Sequence, residues 1–272
     1  MPILSSQEIF RLADNLPQLS PAAVKIISFI DNPNTSREQI VNLVKADAQI
    51  FSECLRQSNS AAFASRREIK SINEIVDIFG FAHIKKVALF MSAKLMFKDP
   101  SIWFESVFTA VAANYLALKA GYDQKQADSV YMTGLFNNYG AFVLKNSFPL
   151  LYNRVSNTPF QERIKKEKEE FGITSSSISA LVLAKYGLPE YVTEILATQS
   201  EVYSDIVRPE NAFVEIGRIL STIQNLDIEK ANATLNLSAI KKFIENARIE
   251  DIGLTEESVD RLKHQTKELV RS

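Results

Sequence analysis

The sequence predicts an all-α protein. Apolar residues recur at three- and four-residue spacing almost throughout its 272 residues, whereas valine, isoleucine and threonine rarely alternate with polar residues over the length of a strand. Helix-start signals punctuate the pattern: Ser5 with Glu8 and Ser71 with Glu74 have the spacing of capping boxes, and Ser20 followed by Pro21 places a cap before a proline at the first helical position. At 46% apolar residues, the chain is long enough to bury one large core or two modest ones.

In chain order, four or five short helices fill residues 5 to 97. Gly80 reads as a helix stop after Ile72, Ile75, Val76 and Phe79, and Gly121 as the stop of a long helix from Ser101 to Ala120. A subdomain border falls near Lys98 to Pro100. Residues 1–98 then form an N-terminal helical subdomain packed on a helical bundle of residues 99–205, with a C-terminal helical extension, 206–272, packed on that bundle. Asp123 caps a helix to about Phe136, and a shorter helix follows from Tyr139 to Ser147, with the segment GLFNNYG, Gly134 to Gly140, at their junction. Gln161 to Glu170 alternates Arg163, Lys165, Lys166 and Lys168 with Glu162, Glu167, Glu169 and Glu170, which reads as a solvated helix face. The serines at 175, 176 and 177 suit the cap of a helix continuing through Ile178, Leu181 and Val182. Three more helices are expected over Asn211 to Asn225, Leu237 to Ala247 and Thr255 to Val270.

Composition removes several function classes. Lysine plus arginine number 31 against 32 acids, so a net charge of −1 gives no global field for nucleic acid or an anionic membrane. The basic neighbourhood of Arg66, Arg67, Lys70, Lys85 and Lys86 lacks interleaved aromatics and reads as a solvated loop and helix end. Cys54 is the only cysteine, which excludes an intrachain disulfide and a cysteine zinc cluster and fits a reducing cytoplasm. The first 30 residues lack a secretory-signal pattern, and no uninterrupted apolar run approaches the roughly 20 residues that span a bilayer. Histidine occurs twice, as His83 and His264, both read as surface or helix-start residues with no nucleophile near them in sequence. Trp103, Phe104 and Phe108 read as core.

Two stretches carry a family resemblance. Leu16 to Phe97 contains LPQLSPAAVKIISFIDNPNTSREQIVNLVKADAQIFSECLRQSNSAAF and then IKSINEIVDIFGFAHIKKVAL, with Asn59 and Ser60 as an asparagine–serine pair. Phe104 to Glu201 contains GLFNNYG, Phe171–Gly172 and KYGLPEYV from Lys185 to Val192. In order and spacing these resemble the HDOD family, all-helical output domains related to the HD-type metal-dependent phosphohydrolases.

The resemblance implies where a metal centre would sit and shows each position changed. HD-type relatives hold one or two metals with histidines and aspartates, and the metal polarises phosphate and activates water. By resemblance, Asn137 and Asn138 stand at the histidine–aspartate pair, Glu105 at an upstream histidine, Ser175 at another, and Gln199 and Ser200 at a later histidine pair. An asparagine carbonyl neutralises no charge and offers no imidazole nitrogen, so metal affinity falls steeply. These six residues line a vestigial pocket, either filled by packing or kept for a small ligand. The expected function is a non-catalytic, cytoplasmic regulatory module in signal transduction, without cofactor, metal or membrane insertion, that binds a partner protein or a small ligand. The alternative is a metal-dependent phosphohydrolase or phosphodiesterase with an unorthodox site built on Glu105 and Glu201.

Overall fold

The computed structural model describes residues 4–59, 68–156, 158, 160–201, 208–222 and 256–271. Regular structure among these is helical, with no strand. The fold is all-α, as the spacing predicts. The chain divides into two compact units, one of residues 17–96 and one built from the opening helix together with everything described from Phe97 onward.

Helix α1 (Ser6–Asp14) starts at the expected capping box, in which Ser5 Oγ accepts the amide of Glu8 and Glu8 accepts that of Ser5. The sequence reading grouped it with residues 1–98. Its contacts lie instead in the larger unit, because its buried face, Ile9 and Ala13, packs there.

The smaller unit holds α2 (Pro21–Asp31), α3 (Arg37–Ala46), α4 (Ala48–Ser58) and α5 (Ile72–Met96). Ser20, Ser36 and Asp47 cap the first three. The core gathers Ile26, Ile40, Val44, Ile50, Cys54, Ile72, Ile75, Ile84 and Val87. Burial pushes the Cys54 thiol up to about 12, which leaves it an inert packing group. Gly80 does interrupt the helix, at φ 72° and ψ 179°, a conformation open to glycine, but the chain re-enters a helix at once and α5 continues to Met96. Asn59 closes the end of α4: its amide donates to the carbonyls of Leu55 and Ile69 and accepts the amide of Ile69 at 2.7 Å. Ser60, Arg66 and Arg67 lie outside the described residues.

The larger unit is built around α6 (Pro100–Lys119), capped by Asp99 and ended at Gly121. It continues with α7 (Gln124–Phe136), α8 (Tyr139–Ser147), α9 (Pro149–Ser156), α10 (Phe160–Phe171), α11 (Ser175–Lys185), α12 (Glu190–Thr198), a 3₁₀ turn at Gln199–Glu201, α13 (Pro209–Thr222) and α14 (Glu256–Arg271). Helix α6 packs against α7, α13 and α14, and α11 packs against α8, α12 and α1. Lys185 ties α11 to α1 through Asp14 at 2.8 Å and lies over the Phe10 ring. By length and composition α6 could cross a membrane, although polar residues interrupt its apolar run, but 61% of its most apolar window is buried inside the protein, as a core helix requires. Trp103 and Phe108 are core residues of this helix. The helix expected over Leu237 to Ala247 lies outside the described residues.

Candidate functional site: the GLFNNYG junction

The GLFNNYG junction is set by its glycines. A Cβ on Gly134 would stand 2.8 Å from the Ala110 Cα of α6, and one on Gly140 would stand 1.9 Å from the Ser175 carbonyl oxygen of α11, so both positions require hydrogen. The close approach brings α7 onto α6 and α8 onto α11. Asn137 and Asn138 are buried between the two glycines.

Both amides are used by the protein itself. Asn137 Nδ2 donates to the Gly134 carbonyl at 2.5 Å. Its backbone carbonyl accepts from Ser179 Oγ of α11, and that hydroxyl in turn accepts the Gly140 amide at 2.7 Å. Asn138 opens α8 without a side-chain cap bond, and its Nδ2 donates to Ser106 Oγ of α6 at 3.3 Å, beside Glu105. Ser175, buried, is the first residue of α11, and its amide donates to Glu167 Oε2 at 2.7 Å. The cap of α11 is Thr174, whose Oγ1 accepts the Ser177 amide, and not the serine cluster. Gln199 is buried and exchanges hydrogen bonds with Asn211 of α13, donating to its carbonyl and accepting from its amide. Ser200 is half-buried in the turn, and Glu201 beside it is exposed.

Charge enters from a helix read as solvated. Helix α10 exposes Glu162, Lys165, Lys168 and Glu169, but Glu167 has no exposed surface and the Arg163 side chain is 15% exposed. Glu167 Oε1 has no hydrogen bond and faces Arg163 Nε at 3.8 Å. On α13, Arg218 grips the buried Glu215 with both nitrogens, at 2.8 and 2.5 Å. A signal for Glu167 was present in the sequence: it lies three residues after Ile164 and four before Phe171, on the stripe that buries both.

These groups act on one another. Burial pushes the half-buried Glu105 carboxyl above its ordinary range, opposed first by Arg163 and then by Arg218. Burial likewise raises Glu167, opposed by Arg163, by the hydrogen bond from Ser175 and by Arg218. The Tyr152 phenol of α9 is pushed up to about 12, mainly by burial, with the same two arginines and two glutamates around it. Glu105, Tyr152, Arg163, Glu167 and Arg218, from α6, α9, α10 and α13, therefore form one electrostatic cluster within the larger unit.

The donor set does not fit a metal. Asn137, Asn138, Ser175, Gln199 and Ser200 carry no charge, and the first four are engaged within the protein. Among the described residues no three histidine, cysteine, aspartate or glutamate side chains are grouped to hold an ion. The positive charges acting most strongly on Glu105 and Glu167 are the guanidinium groups of Arg163 and Arg218, with a smaller contribution to Glu105 from Lys145.

In the smaller unit, His83 departs from the surface position expected of it. It is buried, with Nε2 3.1 Å from Ser58 Oγ and its ring against Phe79. Ser58 precedes it by 25 residues, so only folding brings the pair together. Ser58 is fully buried and closed to substrate. Lys85, expected in a solvated basic neighbourhood, is buried with its amine on both oxygens of Asp31, whereas Lys70 is exposed beside Glu68. His264 is exposed on α14.

The chain is similar over its whole length to solved all-helical structures. A protein described as "Putative phosphohydrolase" from Shewanella amazonensis SB2B is 16% identical, with a TM-score of 0.73 and 97% of each chain covered. An HDOD domain protein with unknown function from Geobacter sulfurreducens is 17% identical, with a TM-score of 0.60, 95% of this chain and 99% of that one covered. At these identities the likeness is one of fold. An "Uncharacterized protein" of Treponema pallidum (strain Nichols) is 24% identical over 187 residues, 66% of this chain, and the match spans 36% of that relative's length. The HDOD domain model matches residues 16–202, which takes in the smaller unit and the cluster's residues as far as Glu167, and the chain belongs to the HDOD domain family.

Proposed function

We propose that this chain is a non-catalytic regulatory module of signal transduction that works in the cytoplasm by binding a partner protein or a small ligand. The observation that carries the reading is the use made of the replaced ligand positions. The side chains of Asn138 and Gln199 bond to Ser106 of α6 and Asn211 of α13, that of Asn137 to the Gly134 carbonyl at the end of its own helix, and the Ser175 backbone amide to Glu167, so these groups are engaged within the protein. A hydrolytic metal site needs ligands with open lone pairs and a position left for water. Glu105 alone keeps a partly exposed carboxylate, and Glu201, its suggested companion, is exposed at the surface.

The test is an assay of purified protein against cyclic dinucleotides and generic phosphoesters with added manganese, magnesium or iron, alongside elemental analysis. The expected result is no turnover and substoichiometric metal. Saturable hydrolysis that Glu105→Gln abolishes would instead establish a metal-dependent phosphohydrolase. Affinity capture from a native lysate addresses binding, and repeated recovery of the chain alone, with neither protein nor small ligand attached, would count against the module reading.

A further inference from the structure

We infer that Arg163 and Arg218 supply, from within the chain, the positive charge that this scaffold would otherwise take from a metal ion, holding the carboxylates of Glu167 and Glu215 in place. The inference rests on the reading that no metal is held here, and adds what replaces it.

Three features carry it. The first is burial: Glu167 and Glu215 have essentially no exposed surface, and a carboxylate in that position requires a compensating charge. The second is how each guanidinium is delivered. Arg163 and Glu167 are four residues apart on α10, and Arg218 and Glu215 three apart on α13, so each cation enters the core beside its own anion on the same helix. A pair assembled within one helix is close to neutral before the helices pack, which lowers the cost of burying it. The third is reach. The charge of both arginines also favours the ionised form of Glu105 on α6, against its burial.

Guanidinium suits this place. It is always protonated, weakly hydrated and offers several donors in a fixed plane. A metal would also require deprotonated ligands and a supply of the ion. The two guanidinium charges already offset carboxylate charge that would attract a divalent ion, so the asparagines at 137 and 138 and the presence of the arginines act in the same direction.

The experiment is thermal melting of the full chain as wild type, Arg163→Met, Glu167→Gln and the double variant, each with EDTA and with millimolar manganese. Wild type is expected to melt at the same temperature in both. Arg163→Met removes a cation from beside a buried anion and should lower the midpoint by roughly 10 °C, and adding Glu167→Gln should recover most of that loss. If Arg163→Met does not fold, return of folded protein in the double variant supports the inference equally. A wild-type midpoint that falls in EDTA and returns with manganese overturns it. So does a double variant that fails to fold or is no more stable than Arg163→Met. These readouts do not depend on a partner or on turnover, so failure of the binding reading leaves them unchanged.

Discussion

A Cβ on Gly140 would meet the Ser175 carbonyl oxygen at 1.9 Å, with the Ser175 carbonyl carbon and the Ser179 nitrogen also within 3 Å. All three are backbone atoms of α11, so no side chain can turn aside to make room. Gly140→Ala should therefore part α8 from α11, weaken the bond from the Gly140 amide to Ser179, and cost about 3 kcal/mol or more. Urea denaturation measures this, and an unchanged midpoint would refute the packing account. Asn137 tests the polar side of the same junction. Its amide donates to the Gly134 carbonyl in a buried setting, and Asn137→Asp sets a carboxylate against that carbonyl instead. The expected loss is about 1–3 kcal/mol at neutral pH, smaller in acid where the carboxyl can donate again. An acid at position 137 therefore penalises the fold.

At the scale of elements, α6 organises the larger unit, and its N-terminus joins two functions in one side chain. Asp99 caps the amides of Ser101 and Ile102 and receives the Lys145 amine of α8 at 2.8 Å. That amine, with the Ser101 hydroxyl, holds the Asp99 carboxyl well below its ordinary range. Asp99→Asn keeps the cap and loses the ion pair, whereas Asp99→Ala loses both. The alanine variant should cost about 1 kcal/mol, and the asparagine variant distinctly less, since a partly exposed ion pair contributes little. Equal losses in urea unfolding at pH 7 would show that the ion pair, and not the cap, matters. Caps of this kind explain what was legible in the sequence. Ser5 with Glu8, Ser20 with Pro21, and Asp123 with Gln126 act within one turn, so their helices could be placed to within a residue or two. The burial of Glu167 is marked in the sequence only by its place on the stripe of Ile164 and Phe171, a signal that the alternating charge around it outweighs. The Ser58–His83 contact depends on α4 meeting α5 across 25 residues.

For the molecule as a whole, a net charge of −1 conceals an uneven placement, with carboxylates buried at the centre of the larger unit and most other charges at the surface. The junction at Asn137 and Asn138 could be read from the sequence because a local motif fixes it, but the arginines whose charge acts on Glu105 arrive from α10 and α13, about 60 and 110 residues further on, and no local pattern announces them. Their consequence is a pH profile with two limbs of opposite sign. Glu105 and Glu167 have carboxyls raised by burial above the ordinary value of 4.5, so the folded chain retains protons that the unfolded chain has released. Their contribution is complete below that value and is lost as pH rises through the folded values. Asp99 is held below its ordinary 3.8, so its contribution is complete above that value and is lost as pH falls through the folded one. The melting temperature should accordingly pass through a maximum on the acidic side of neutrality. Glu105→Gln removes a half-buried carboxylate whose charged form burial disfavours, and should raise the melting temperature at pH 7 to 8 while leaving it unchanged near pH 4. Melting curves of wild type and Glu105→Gln across that range decide the matter, and parallel curves would mean that Glu105 titrates in the folded chain as it does in water.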